Sequence, residues 1–478
     1  SALTEFWNAW HDLANNPSGA SERGIVYERA ALLCQAFNSA HEDLSNLTGQ
    51  INLSIETGVQ KINEITEKIA DLNQQILSGR INGNPNDLLD KRNQLVTELG
   101  QYLDINYYKN EDGSLTVTTG RGSVLVTGSE NYELSYDDGA VRWESSGVAN
   151  KDITDTIEGG KLGGWLDMRD VTIPKYEAEL NELAKNIIWE VNRIHSQGVG
   201  TERFSDVTGT YVVTDPNSPL KSSLEFGDKV ENGKLDIWVY KPDPDEDPYF
   251  LEIDVHDDTK LDSIIDTIDD DPNLSANLTN GKIHISALHN CTFAFSAPNP
   301  DLDEPMTSVL AALGINTFFT GSSPEDGDYA KFIAVNPLLK DNKGLIAAGK
   351  VASDGSIATG DNSNALDMTN LPYTPIDMIR FNYQRGSSTP SRELVSTTLD
   401  DYLHGLEGSI GVASQSITRS REYTEVIVNQ LEQTRDNISA VSIDEEMTNI
   451  IKYQHAYAAA AKLISTGDEM FKTLLEIR

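Results

Sequence analysis

Between Ile51 and Leu77, apolar residues recur at steps of three or four, and this spacing predicts one long amphipathic helix with a narrow apolar seam. Polar residues fill most of the other positions, and Gly79 ends the pattern. A second helix follows at 88–103, so the two helices can pair as an antiparallel hairpin. The seam residues of the first helix are Ile51, Ile55, Val59, Ile62, Ile65, Ile69, Leu72 and Ile76.

Residues 105–160 have a β pattern instead. Short alternating or β-branched runs at 115–118 and 124–126 are separated by glycine turns, which favours small hairpins. Helical spacing returns after Pro174 and continues to Ile194.

The middle of the chain changes character again. Strand-like runs alternate with loops rich in Asp, Pro, Asn and Gly, and one short amphipathic helix is predicted at 259–268. We interpret this region as an inserted, mostly β domain. The predicted strands are Leu235–Tyr240, Tyr249–Val255, Lys282–Ser286 and Thr292–Ser296.

From about residue 391, apolar spacing predicts helix to the end of the chain. The fold class is therefore predicted to be α+β and multidomain, with a discontinuous long-helix bundle, small β elements, an inserted mostly β lobe and a terminal coiled-coil-like helix. The predicted domains are a helical middle domain from 1–200 and 335–441 with β hairpins at 105–160, an inserted outer domain at 201–334, and a terminal assembly helix at 442–478.

The charge balance excludes some partners. The 478 residues include 37 Lys or Arg and 75 Asp or Glu, giving a formal net charge of −38. Basic residues never form runs longer than two, so neither nucleic acid nor an anionic membrane surface is an expected partner. A spanning helix needs about 20 apolar residues, far more than any uninterrupted run here. With no charged-then-apolar leader, we expect a chain that stays in the cytosol or leaves by a route without a cleaved signal.

Signals for chemistry are weak. Nucleophile elbow, P-loop and dinucleotide fingerprints are all missing from the sequence, so no catalytic, cofactor or metal residue is predicted. Cys34 and Cys291 stand too far apart for a disulfide framework and are expected to be small buried thiols. The acidic run at 243–247 is interrupted by prolines, which favours a solvated loop, with weak divalent-ion binding as the alternative.

The last 40 or so residues are the most informative. Ser442 and Glu445 fit a capping box that begins a helix. In that helix Ile450, Tyr457, Ile464 and Phe471 repeat every seven residues. One interpretation is that this stripe packs on the globular body of its own chain, and the other is that it pairs with other chains. The candidate assembly residues are Met447, Ile450, Ile451, Tyr453, Gln454, Tyr457, Ala461, Ile464, Phe471, Leu474 and Leu475.

This terminal segment resembles the carboxy-terminal signature of bacterial flagellar rod, hook and hook-associated proteins. The match is carried by Tyr453-Gln454, Tyr457, Asp468-Glu469-Met470 and Leu474-Leu475. Further stretches resemble the family of hook-associated protein 1, the FlgK-type hook–filament junction proteins. These stretches are Phe6–Pro17, Leu310–Gly321, Ile333–Pro337 and Gly360–Leu366.

The resemblance implies a structural protein exported through the flagellar type III channel to the extracellular flagellum. It implies assembly as a ring of copies between the hook protein on one side and a second junction protein and the flagellin filament on the other. It also implies a cytosolic export chaperone at the carboxy-terminal helix. The family begins with a long helix that pairs with the carboxy-terminal one, and this chain is expected to start after it.

Two alternatives stay open at this point. One is another flagellar axial protein, a relative of the hook or filament cap, although the 310–337 block argues against it. The other is an acidic soluble enzyme whose site the sequence does not reveal.

Overall fold

The structure is a computed structural model that describes residues 1–79, 86–145, 148–296, 307–321, 327–387, 389–439 and 443–476. The chain divides into two compact units, Ser1–Leu406 and Glu407–Arg478. The helices are α1 (Ala2–Asn15), α2 (Ala20–Gly79), α3 (Asn86–Tyr102), α4 (Gly160–Asp167), α5 (Ile173–His195), α6 (Leu220–Ser223), α7 (Leu261–Asp269), α8 (Val309–Leu313), α9 (Tyr329–Phe332), α10 (Pro337–Asp341), α11 (Ser363–Asn370), α12 (Leu399–Ser439) and α13 (Ile443–Glu476).

The strands form small antiparallel sheets and hairpins. The order is β1-β2-β3-β4 and β5-β6-β7 near the amino terminus, β10-β9-β13 and β11-β12-β8 in the middle, and the pairs β14-β15 and β16-β17. Their bounds are β1 (Ile105–Lys109), β2 (Leu115–Thr119), β3 (Val124–Thr127), β4 (Glu130–Asn131), β5 (Leu134–Asp137), β6 (Ala140–Ser145), β7 (Val148–Asp152), β8 (Asp206–Thr208), β9 (Gly233–Tyr240), β10 (Tyr249–Val255), β11 (Leu274–Thr279), β12 (Lys282–Ala287), β13 (Thr292–Ser296), β14 (Phe319–Thr320), β15 (Ala334–Val335), β16 (Ile376–Asn382) and β17 (Ser391–Thr397).

The α+β class predicted from the sequence is confirmed. The seam helix is confirmed as well, but α2 begins at Ala20, far before the predicted start, and is 60 residues long. The added part, 20–50, contributes a second set of buried residues that the sequence analysis did not recognise. One helix therefore takes part in two separate hydrophobic cores.

The first core joins α1, the start of α2, α5, the strands of the middle region and the first turns of α12. Its centre is aromatic: Phe6 and Trp10 of α1 pack against Phe318 and Phe319. The core runs without a break into the sheets of residues 204–296. The domain limits at 200, 334 and 441 stay predictions.

His195 connects three segments inside this core. Its Nε2 accepts a hydrogen bond from the Ala347 backbone N–H at 3.0 Å, so Nδ1 holds the proton and donates to the Asn316 carbonyl at 2.8 Å. The ring is fully buried, and burial lowers its pKa to about 4. The core therefore holds a neutral histidine.

The second core lies between the 51–76 part of α2, helices α3 and α4, and the two sheets of residues 105–152. Asn73 of α2 is fully buried, and its side-chain amide pairs with strand backbone groups as a neighbouring strand would. Its side chain donates to the carbonyls of Leu115 and Gly128 and accepts from the Leu115 N–H and from Arg92. The sequence pattern placed the asparagines of this helix on its polar faces. That assignment is wrong for Asn73, which lies in the second core.

The four strands predicted in the middle region are confirmed within one residue or two at each end. The predicted short helix is α7. Strands β8 and β11 were not predicted, since β8 is only three residues long and the second half of β11 is exposed. The two middle sheets and α7, which come between α5 and α8 along the chain, contribute buried residues to the first core.

Two helix boundaries were wrong. Helix returns at Gly160 and not after Pro174, because Leu162 and Leu166 are fully buried in the second core and tertiary packing outweighs the helix-weakening glycines between them. Residues 391–397 form strand β17 and not helix. They pair in register with β16, and α12 begins only after Thr398, whose hydroxyl caps the backbone N–H of Asp401.

Candidate assembly surface

The predicted assembly residues lie on α13, and its spacing is that of a coiled-coil seam. Met447, Ile450, Gln454 and Tyr457 follow one another at steps of three, four and three, and the pattern continues through 461, 464, 468, 471 and 475. Ser442, the proposed cap, lies outside the described residues. The acidic first turn at 444–446 is favourable for the helix dipole.

The side chains of this seam are exposed. Ile464 is 74% exposed and Tyr457 is 79% exposed, values far above those of a packed core. The Leu474 side chain lies outside the described part of the structure, although its backbone belongs to α13. The predicted residues that the structure shows as exposed are Met447, Ile450, Ile451, Tyr453, Gln454, Tyr457, Ala461, Ile464, Phe471 and Leu475.

Two seam positions are polar. Gln454 and Asp468 occupy places where a coiled coil carries apolar residues, and Asp468 pairs with Lys472 one turn later at 3.6 Å. A polar residue at a seam position lowers the stability of a helix pair but fixes its register. Ala461, between two bulky residues, leaves room for another backbone to approach. The seam is suited to one particular alignment of partner helices.

Helix α12 carries a second seam with the same spacing. Leu399 is buried in the first core and Leu406 is also buried, whereas Ile410, Ile417 and Leu431 are exposed. The sequence pattern identified these positions. It did not identify two exposed apolar residues, Tyr423 and Val428, which flank the seam and belong to the same surface. Each is adjacent to a position of the seam spacing, 424 and 427 respectively, so the sequence did contain a signal for them.

Within the described residues, no group of three or more His, Cys, Asp or Glu is placed to hold a metal ion. The acidic loop after β9 is a turn in which the Asp243 carboxylate accepts the Asp245 N–H, and Lys241 pairs with Glu246. Cys34 and Cys291 are buried free thiols, as predicted. Among the described helices, none is long and apolar enough to cross a membrane.

Comparison with known proteins gives this surface a context. Residues 1–209 match the family described as flagellar hook-associated protein FlgK helical domain, and residues 432–477 match flagellar basal body rod FlgEFG protein C-terminal. Flagellar hook-associated protein 1 of Bacillus subtilis is 24% identical over 480 residues, which are 99% of this chain and 75% of the relative. The chain resembles the flagellar hook-associated protein 1 family along its whole length. This family is one of structural proteins, and the resemblance seen in the sequence is confirmed.

Two further comparisons agree with this likeness. The Salmonella typhimurium protein is 23% identical over 497 residues, covering 100% of this chain and 80% of the relative. The structure of the flagellar hook junction protein FlgK from Burkholderia pseudomallei has a TM-score of 0.55 and 16% identity, and covers 92% of this chain and 93% of that one. At this identity the likeness establishes a shared fold.

Proposed function

We propose that this protein is a structural component of the extracellular bacterial flagellum that joins the hook to the filament. Copies assemble into a short ring through helical packing, with hook protein on one side and a second junction protein and the flagellin filament on the other. The observation that carries the proposal is the exposed seam of α13, which lies within the segment matched by the rod-protein family.

Burial of the seam supplies the free energy of assembly. Ile450, Tyr457, Ile464 and Phe471 stand two turns apart, each more than half exposed. Removing such a side chain from water is worth about 1.5–3 kcal/mol, so a few turns of matched helix suffice for stable contact. Gln454 and Asp468 restrict that contact to one register.

Two neighbouring residues of α13 provide a matched test. Ile464 lies on the seam and is 74% exposed, and Leu463 lies beside it off the seam and is 76% exposed. In the flagellated cell that makes this chain, Ile464→Asp is expected to leave hooks without attached filaments. Leu463→Asp, with the same charge change and the same starting exposure, is expected to keep them. Filaments are counted on hooks by electron microscopy.

Attached filaments in cells carrying Ile464→Asp, or in cells lacking residues 442–478, contradict the junction role. Immunogold labelling of the native protein separates the axial alternatives. Label confined to the boundary of hook and filament supports a junction protein, and label along the hook or at the filament tip supports another axial protein.

We infer that a cytosolic export chaperone covers the same seam before assembly. An exposed apolar stripe on a free helix favours nonspecific association, and covering it prevents this. Calorimetry with the purified chaperone of the same cell tests this. Ile464→Asp is expected to weaken binding strongly and Leu463→Asp to leave it nearly unchanged, whereas equal affinities for both variants contradict a seam-bound chaperone.

A further inference from the structure

The hairpin β16–β17 lies between α5 and the first turns of α12, and its β16 edge is fixed by side chains. The Ile379 N–H donates to the Glu182 carboxylate of α5 at 3.1 Å, and the Ile379 carbonyl accepts from the Tyr402 hydroxyl of α12 at 2.7 Å. Both backbone groups of Ile379 on this edge therefore have partners, which is unusual for an edge strand. The hairpin is tied to two helices at one point.

The first turns of α12 pack tightly against this hairpin. Leu399 and Tyr402 are fully buried, and the Arg380 guanidinium lies 5.1 Å from the centre of the Tyr402 ring. Gly405 leaves space for it, since a Cβ at that position would stand 2.4 Å from Arg380 Nη2. Residues 399–406, called the helix root below, therefore pack with the hairpin as one piece.

The tip of the hairpin reaches the second core through Arg385. Its side chain is 10% exposed, and its guanidinium donates to the backbone carbonyls of Ile157 and Gly163, the latter at 2.9 Å, and pairs with the Asp167 carboxylate. These acceptors lie in and just before α4, whose Leu162 belongs to the second core. Five donors on a rigid planar group match several acceptors at once, which lysine does not do.

The backbone beside Arg385 also requires close approach. Gly386 has φ +78°, and a Cβ on it would stand 3.1 Å from Asp155 Oδ2. The turn is thus shaped for contact with the segment before α4, and the Arg385 contacts are not those of a loosely placed surface side chain.

We propose that Arg385 is a latch that fastens the helix root, through the hairpin, to the second core. The root contributes Leu399 and Tyr402 to the first core and packs on the hairpin, and Arg385 supplies a polar tie from the hairpin to the other core. Load arriving along α12 is then shared between both cores. The sharing of load rests on the proposed function; the tie itself does not.

Hydrogen exchange of the full chain, read by mass spectrometry, tests the tie. Arg385→Met keeps the length of the side chain and removes its donors. We expect amides in α4 and amides of the helix root at 399–406 to exchange about tenfold faster, since both lose protection against local opening. Arg385→Lys is expected to behave almost like Arg385→Met. The control is Arg392→Met on the exposed face of the same hairpin, which is expected to change neither region.

Faster exchange confined to residues 383–387, with the helix root unchanged, overturns the proposal. If Arg385→Met does not fold, Asp167→Asn weakens the latch at its exposed end only, and the same paired change in α4 and the root is expected at smaller size. A second readout separates the latch from the junction role. Cells with Arg385→Met are expected to attach filaments normally and to lose them at lower shear than cells with Arg392→Met; equal shear resistance overturns the sharing of load while leaving the junction role intact.

Discussion

Burial holds His195 neutral and lowers its pKa, and the Ala347 N–H needs the unprotonated Nε2 as its acceptor; the Asn316 carbonyl on Nδ1 acts the other way and raises the pKa. Arg23, also buried, donates to the carbonyls of Ile346 and Pro17 and adds positive charge near the ring. Protonation of Nε2 would place a second N–H against the Ala347 N–H and break the hydrogen bond between them. The first core therefore excludes the proton that the unfolded chain accepts.

The folded pKa of about 4 lies below the ordinary value of about 6.5. Between these two pH values the unfolded chain binds a proton that the folded chain does not, so the free energy of unfolding falls as pH falls through this range. The expected loss is on the order of 3 kcal/mol. Urea unfolding at a series of pH values measures it for the native chain and for His195→Gln.

The native chain is expected to lose more stability than His195→Gln between about pH 6.5 and about pH 4. The control is His455→Gln, which removes an exposed histidine of α13 in place of the buried one. If the free energy of unfolding falls equally with pH in the native chain and in His195→Gln, His195 is not the group that causes the loss of stability.

Residue-level chemistry of this kind was only partly visible in the sequence. Spacing placed Ile55 and Ile62 on a seam, and both are fully buried. Nothing distinguished Asn73 from the solvent-facing polar residues of α2, because its partners, the backbone of Leu115 and Gly128, are more than 40 positions away in the chain. Local pattern reports which face is apolar; it does not report a distant backbone group that needs a partner.

Among the helices and strands, too, local spacing predicted some elements, while contacts with distant segments decided others. Helix α2 and strand β10 follow from periodicity, because each has one face in a core and the pattern records it. Strand β17 was read as helix, because five of its seven residues are exposed and only Leu394 and Val395 are large and apolar. Its conformation depends on pairing with β16 and on the contacts of that strand with α5 and α12, which no local window contains.

The seam of α2 predicts a large difference between two of its own residues. Ile62 is fully buried in the second core, and Leu53 is 65% exposed on the same helix. Ile62→Ala is expected to lower the free energy of unfolding by about 2–5 kcal/mol. Leu53→Ala is expected to change it by less than about 0.5 kcal/mol.

Both variants are measured by chemical denaturation, with hydrogen exchange to locate the effect. Loss of protection is expected in β2, β3 and α3, which share the second core with Ile62, before it is seen in α1 or α11. A loss spread evenly over both cores would mean that the cores do not open separately.

At the scale of the whole molecule, charge opposes assembly. The net charge of −38 repels copies brought side by side, whereas the seams of α12 and α13 attract them. The screening length falls from about 30 Å to about 10 Å between about 0.01 M and about 0.1 M salt. Self-association of the purified chain is therefore expected to strengthen over this range, as sedimentation velocity can measure.

The seam causes the salt-dependent self-association if Ile464→Asp removes most of that association and Leu463→Asp does not. Weaker association at higher salt would instead show that attraction between opposite charges holds the copies together. The sign of the salt dependence decides between apolar and ionic assembly.

The resemblance to the hook-associated protein 1 family followed from short motifs spread along the chain, and the comparisons confirm it. The arrangement of the cores did not follow from those motifs. The 310–321 block was read as the end of an inserted domain, and its Phe318 and Phe319 pack directly on Phe6 and Trp10 of α1. Contacts between segments some 300 positions apart leave no periodic trace that a single sequence shows.

The shared helix also limits how the length of this chain can change. Between Ala40 and Ile51, α2 passes from one core to the other, so one inserted residue would rotate the second core by about 100° about the helix axis and move it by about 1.5 Å. An insertion of about seven residues restores the rotation to within about 20°. Insertions and deletions that relatives tolerate in this segment are therefore expected to come in multiples of whole helical repeats, while loops of the middle sheets vary one residue at a time.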